Sequence, residues 1–598
     1  MEKEKYTVHQ FPIQSILGWV QSGDIAIPEI QRPFVWDSTK VRDLIDSLYQ
    51  GYPIGYLISW KAPNVKLKDG KSSEGKKILI DGQQRVTALT AAISGQQVMT
   101  KEYKKVKIQI AFHPPTEKFE VINPAIQKDV TWFHDIGPIV SGELGIFQVV
   151  GNYCEKNPSA NRDEIGKKID KLRSITNRHL GLIELASDLD IETVTEVFIR
   201  INSEGVVLGQ ADFAMSKIAS SEQYNGPVLR KCIEYFCHMS VAPEYFSVIK
   251  DGDTEFAKTH YFQKMSWLKD EMDDLYDPKY TDLLRVAFTS EFNRGKLADL
   301  VNLLSGRNFE TRSFEEEIAK KSFEQLEHGI LNFINDTNFK RFVMIIKSAG
   351  FINSSLIRSQ NALNFAYIAF LKLRSLNFNP AEIESFVRRW FVMSILTGRY
   401  SSSPESEFDK DIRSLATRDP KETLRSIEEG ELSDAFWSAS LVQSLDTSVA
   451  SSPFFNVFLA CQIKSGDKGF LSKDISISDL ISHRGDIHHL FPKDLLIKSG
   501  YKRGDYNQIA NYALTQQEIN IKIGKKPPKE YMGIVLDQIK IEKFKLGSIR
   551  DERSLAENMA SNCVPESFVN MVSDDYKEFL KLRRKMMAEK IRKYYFSL

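Results

Sequence analysis

Three of the chain's histidines fall between positions 483 and 489, in the string His483-Arg484-Gly485-Asp486-Ile487-His488-His489-Leu490-Phe491-Pro492. Neutral imidazole accepts a proton near pH 7 and ligates divalent metals. His488 and His489 are adjacent, and adjacent residues of a regular strand point to opposite faces. The pair is therefore expected to divide two roles, or to sit at a strand end, rather than grip one ion together. Asn511-Tyr512-Ala513-Leu514-Thr515 follows, and Thr515-Gln516-Gln517-Glu518 reads as a capping box that opens a helix. That helix carries Asn520, with Lys522, Lys525 and Lys526 after it. The local order is strand, His-His, loop, strand, helix. His483 reads as a surface or supporting residue, and Asp486 as a group able to orient one of the pair.

A second cluster lies near the other end. Lys77-Ile78-Leu79-Ile80 reads as a buried strand, and Val86-Thr87-Ala88-Leu89-Thr90-Ala91-Ala92 as a helix. Asp81-Gly82-Gln83-Gln84-Arg85 sits at the junction. A helix N-terminus offers free backbone N–H groups, glycine lets a phosphate approach the backbone, and arginine binds phosphate through two N–H groups. A solvated turn with a helix-capping Asp has the same composition. No Gly-x-x-x-x-Gly-Lys-Ser/Thr loop is present, so a nucleotide site here needs another architecture.

Around this junction lie Ile27-Pro28-Glu29-Ile30-Gln31-Arg32-Pro33-Phe34-Val35-Trp36, Gly51-Tyr52-Pro53-Ile54-Gly55, and Phe198-Ile199-Arg200-Ile201-Asn202-Ser203-Glu204-Gly205. Together they resemble the ParB-like "DGQQR" domain of GmrSD-type, modification-dependent restriction endonucleases. The 483–526 segment resembles the HNH, or His-Me finger, nuclease unit that the same family often carries at its C-terminus. The architecture is also similar to phosphorothioation-sensing SspE-like defence proteins. The resemblance implies a metal-dependent DNA endonuclease of a phage-defence system. It places His488 as metal ligand, His489 as general base, Asn511 as the loop brace within the catalytic set, and Asn520 as the helix-borne metal ligand. A His/Asn/water set suits Mg²⁺ or Mn²⁺. At the N-terminus the resemblance implies binding, and hydrolysis, of a nucleoside triphosphate (GTP, ATP or CTP) or sensing of modified phage DNA. Gly82, Gln83, Gln84 and Arg85 would be nucleotide contacts with Gln31, Arg32, Arg200 and Asn202, and Asp81 would stand near the metal or the attacking water. The alternatives are a nucleotide-gated DNA-binding regulator with an inactive HNH remnant, or an RNase or toxin.

The elements that must position these residues divide the 598-residue chain, too long for one core, into three expected parts. Residues 1–222 form an α/β ParB-like sensor domain, 223–445 an all-helical middle, and 446–598 a ββα-metal nuclease with helical surround, making a multidomain α+β protein. Val106 to Ala111 alternates as a half-exposed strand, and Ile191–Ile201 and Gln210–Ile218 have helical spacing. One helix is bounded clearly by Asn379, Pro380 and Gly398. The last helix, Asp575 to Tyr595, is expected to bury Phe579, Leu582, Met586 and Ile591. Lys581, Arg583, Arg584, Lys585, Lys590, Arg592 and Lys593 are expected on its solvated side. Lys and Arg total 80 against 79 Asp and Glu, which argues neither for nor against nucleic acid, since local basic surface is what counts. Five scattered cysteines exclude a disulfide framework, and Cys232 and Cys237 read as buried helix residues. No stretch reads as a signal peptide or membrane span, so a cytoplasmic location is expected. A homodimer is expected because cutting both strands with one HNH site needs two copies or two nicks.

Overall fold

The computed structural model describes residues 5–26, 36–61, 77–99, 105–186, 189, 210–271, 273–483, 485–541 and 543–598. Gln31, Arg32, Arg200, Asn202 and the Ile191–Ile201 segment lie outside them. The chain forms two compact units: Met1–Asp270 with Lys279–Thr281 and Val301–Lys320, and Glu271–Pro278 with Asp282–Leu300 and Lys321–Leu598. The boundaries read at 222 and 445 fall inside these units. Helix Gly226–Val241 packs so closely on what precedes it that a Cβ on Gly226 would meet the Ile218 carbonyl at 1.9 Å. In the second unit, a Cβ on Gly350, in the turn after helix Asp336–Ser348, would meet the Ala460 carbonyl at 2.0 Å, so that turn lies directly against helix Pro453–Lys464.

The first unit is built on a five-stranded mixed sheet in the order Tyr6–Pro12, His179–Leu185, Tyr56–Lys61, Lys77–Asp81, Ile25–Ala26. Tyr56–Lys61 runs parallel to His179–Leu185 and antiparallel to Lys77–Asp81, with a register shift at Ile58/Ser59. Helix Ser38–Gln50 begins where Asp37 accepts from the Lys40 N–H and ends at Gly51. Its Val41, Leu44, Ile45 and Leu48 recur at helical spacing and share one core with Leu57, Leu79, Leu89 and Leu182. Trp36 packs against the same core, whereas Phe34 lies outside the described residues. Gln210–Ser220 is helical as expected. The expected single strand over 106–111 is instead two pieces, Lys105–Val106 and Ile110–His113. Val106 pairs with Val98, and Ile110 pairs with Val121. The backbone changes partner between them.

The second unit is mainly helical. Helix Pro380–Thr397 has the expected ends: Asn379 Oδ1 accepts from the Ala381 N–H at 2.9 Å, and Gly398 closes it at φ +63. Ile383, Phe386, Val387, Trp390, Phe391 and Ile395 are buried on it. The most apolar stretch, Ala362 to Leu373, lies in helix Gln360–Ser375 and is buried there except at Lys372. Among the described residues no helix is long and apolar enough to cross a membrane.

Candidate active site

Strand Asp486–His489 pairs antiparallel with Tyr512–Thr515, setting His488 opposite Ala513 and His489 opposite Tyr512. Helix Gln517–Ile523 follows, completing a ββα unit. The expected capping box is not formed. Thr515 ends the strand with its hydroxyl donating to the Phe470 carbonyl at 2.7 Å, and Gln516 takes the N-cap position without a side-chain bond. The buried hydroxyl satisfied by another segment is unavailable to the helix.

The two histidines do face apart. His488 is 2% exposed and turns toward the helix, its Nδ1 2.7 Å from Asn520 Oδ1. Phe470 lies parallel to its ring at 6.2 Å and Tyr531 meets it edge-on at 6.4 Å. Burial drives its pKa down to about 4, so the ring is neutral at pH 7, the form that ligates metal. His489 is partly exposed. Its Nε2 lies 3.0 Å from Asn507 Oδ1, and Tyr512 meets it edge-on at 5.0 Å. Burial lowers its pKa, Asn507 opposes the shift, and Lys493 adds to it.

The donors of this site fit a hard divalent ion. His488 Nδ1 and Asn520 Oδ1, which share a hydrogen bond at 2.7 Å, are an imidazole nitrogen and an amide oxygen close enough to serve one ion, the Nδ1 proton being displaced when the ion binds. His488 Nε2 is buried without a hydrogen-bond partner, so nothing on the ring competes strongly for its orientation. Among the described residues no three His, Cys, Asp or Glu side chains converge. An ion here would rest on His488, Asn520 and solvent. The Asp486 side chain and Arg484 lie outside the described residues.

Asn511 is completely buried and spent on the backbone. Its Oδ1 accepts from the Phe491 N–H at 2.8 Å, and its Nδ2 donates to the carbonyls of Phe491 and Tyr506. It clamps both ends of the connection between the strands and has no atom left for a substrate. His483 is exposed, on the Asp479 carbonyl.

The last helix, Tyr576–Phe596, supports this unit differently from the sequence expectation. Leu582 and Met586 are only partly buried, while Arg583 is fully buried. Arg583 donates to the Ala510 carbonyl at 2.8 Å and to the Asn562 carbonyl at 3.1 Å. Backbone carbonyls offered by two loops give a guanidinium what periodicity alone assigns to solvent. Arg584 pairs with Asp446, Lys590 with Asp467 and Arg592 with Asp434. Lys577, Lys581 and Lys585 stay exposed. Asn507, Phe470, Tyr531 and Arg583 reach this site through tertiary packing rather than a fixed offset along the chain, so the spacing of residues does not reveal them.

The metal-free protein is expected to lose stability on acidification through His488. The ring titrates near 4 when folded and about 6.5 when unfolded. The unfolded state therefore binds more protons between these values. The contribution is complete above about pH 6.5 and is lost as pH falls toward 4, by up to about 3 kcal/mol. Urea unfolding with chelator at pH 7 and pH 4.5 should show a steeper loss in wild type than in His488→Asn. Equal losses would mean the ring is not desolvated as described.

In the first unit, Asp81 ends its strand and Gly82 turns the chain at φ +93 into helix Gln83–Ser94. Arg85 donates to Asp81 Oδ2 at 3.0 Å and to the Ile54 carbonyl at 3.1 Å. Gln83 and Gln84 are buried on the first turn. A Cβ on Gly55 would meet Arg85 Nη1 at 2.6 Å, and one on Gly82 would meet Leu57 Cδ2 at 2.3 Å. The structure thus brings Asp81, Gly82, Gln83, Gln84 and Arg85 together with Ile54 and Gly55. Gly82→Ala combines left-handed strain with that clash and is expected to destabilise this unit by roughly 1–3 kcal/mol. A thermal melt unchanged from wild type would contradict it. Cys232 and Cys237 are both fully buried on helix Gly226–Val241.

Residues 13–219 match the family described as "GmrSD restriction endonuclease, N-terminal domain". The chain is also similar to a protein of Methanocaldococcus jannaschii described as "Uncharacterized protein MJ0686". The two are 20% identical over 651 aligned residues, spanning 95% of this chain and 96% of that one. The family match lies in the N-terminal region of the chain.

Proposed function

We propose that this protein is a divalent-metal-dependent DNA endonuclease of a restriction or phage-defence system, with an HNH site regulated by its N-terminal domain. The observation that carries the reading is the contact of His488 with Asn520 across strand and helix, with His489 on the other side of the strand. The family match at residues 13–219 supports the biological class.

His488 and Asn520 would hold Mg²⁺ or Mn²⁺, which when bound polarises the scissile phosphate and stabilises the leaving oxygen. His489 takes a proton from water as the water oxygen bonds to phosphorus and the bond to the leaving oxygen breaks, the leaving oxygen gaining a proton from solvent. Asn511 acts by holding the connection between the strands. Exposed Lys493, Lys498, Lys522 and Lys525 on and after the finger's helices supply the local positive charge a phosphate backbone needs.

The turn at Gly82, with Gln83, Gln84 and Arg85, is the proposed nucleotide site, together with Gln31, Arg32, Arg200 and Asn202. Asp81 holds Arg85 until a phosphate competes for it. A homodimer in the cytoplasm, acting on modified phage DNA, completes the reading. A plasmid-nicking assay tests it, with Mg²⁺, Mn²⁺ or chelator, on unmodified and modified DNA, with and without GTP, ATP or CTP. Metal-dependent nicking is expected. Its absence with every substrate, metal and nucleotide would overturn the nuclease assignment.

A further inference from the structure

We propose that Asn507 is a positioning residue that fixes which nitrogen of His489 faces the reaction; the inference rests on His489 acting as the base. Asn507 Oδ1 lies 3.0 Å from His489 Nε2. An amide oxygen only accepts, so this contact keeps the ring proton on Nε2 and leaves the lone pair on Nδ1. The other close ring neighbour, Tyr512, meets the imidazole edge-on at 5.0 Å. An aromatic edge limits rotation but does not select a tautomer.

Asn507 is itself held from both sides. Its backbone N–H donates to the Arg503 carbonyl at 3.2 Å, closing the turn Arg503–Tyr506. Before it, the Tyr576 hydroxyl donates to the Asp505 carbonyl at 2.8 Å and Asn511 Nδ2 to the Tyr506 carbonyl at 3.2 Å. After it, Arg583 Nη1 donates to the Ala510 carbonyl at 2.8 Å. Tyr576, Arg583 and Asn511 are all buried. The last helix therefore fixes segment 505–510, the segment presents Asn507, and Asn507 orients His489. This gives buried Arg583 a role: it acts on the reaction through two intermediaries without approaching the substrate.

The experiment compares full-length wild type, Asn507→Leu, Asn507→Asp and His489→Ala. The first readout is ring-¹⁵N histidine NMR of the metal-free protein, in which His489→Ala identifies the His489 signals. Wild type and Asn507→Asp should show the Nε2–H tautomer, and Asn507→Leu a mixture. The second is plasmid nicking with Mg²⁺. Asn507→Leu should lower kcat roughly ten- to hundredfold, the range for partners that orient a histidine, with KM for DNA unchanged, and Asn507→Asp should recover most of the rate. A wild-type His489 carrying its proton on Nδ1, or an Asn507→Leu variant with unaltered tautomer and kcat, overturns the inference. Nicking that survives His489→Ala overturns instead the assignment of the base, and the tautomer result then stands by itself.

Discussion

Alanine in place of His489 is expected to lower the nicking rate by roughly 10²–10⁴-fold, the usual contribution of a positioned base, while the protein remains folded. The second half of that expectation is what makes the experiment informative. His489 is only partly buried, and removing its ring exposes Asn507 Oδ1 to water, which solvates it at little cost. His488→Ala is a poorer probe. It hollows a site between Phe470 and Tyr531, and a buried truncation of that kind costs several kcal/mol in its own right. Circular dichroism and the melting profile should therefore coincide for wild type and His489→Ala, with only scission lost. A variant that keeps its nicking rate would remove His489 from the chemistry. The proton would then have to pass to another group, and the half-exposed imidazole would be no more than a surface residue of the hairpin.

The sequence shows the site's frame more clearly than its supports. His488, His489, Asn511 and Asn520 sit in one short segment, where spacing along a hairpin and one helix determines who faces whom. Strand alternation alone foretold that the histidines would point apart, and they do. Likewise Asn379, Pro380 and Gly398 bound their helix because capping is a local event. The capping box misled for the opposite reason. Thr515 had a competitor in the Phe470 carbonyl, 45 residues earlier in the chain, and local pattern carries no record of it. Arg583 makes the same point. Charge suggested solvent, yet two carbonyls from distant loops hold it inside. At the N-terminus, the strand-to-helix junction was readable from Ile78 to Ala92. What spacing does not show is the close approach that makes glycine necessary: Leu57 of a neighbouring strand against Gly82, and the Arg85 guanidinium against Gly55 in the loop before that strand.

The second large effect concerns stability rather than chemistry. Asp411→Ala is expected to destabilise the second unit by roughly 3–5 kcal/mol, the cost of breaking a buried ion pair from one side. Arg399 Nε and Nη2 donate to the two oxygens of Asp411 at 2.7 and 2.6 Å, and the Tyr400 hydroxyl donates to Asp411 Oδ2 at 2.7 Å. Trp390 Nε1 donates in turn to the Tyr400 hydroxyl at 3.0 Å, beneath the ring of Phe365. The side chains of Arg399 and Asp411 are 4% and 2% exposed. Burial works against the guanidinium charge, but Asp411 more than offsets it and holds the arginine above its ordinary pKa. Removing the carboxylate leaves that charge inside with Glu407 at 3.9 Å and Glu431 at 2.6 Å, whose side chains are 32% and 41% exposed and so screened by water. Glu431→Ala is accordingly expected to cost under about 1 kcal/mol. Replacing the pair together, Arg399→Met with Asp411→Leu, should recover much of the loss, because no buried charge is then stranded. Urea unfolding of the full chain, following the transition that reports Trp390, measures all three. A cost below about 1 kcal/mol for Asp411→Ala would mean that water and the two exposed glutamates are enough to stabilise Arg399 once its buried carboxylate is gone.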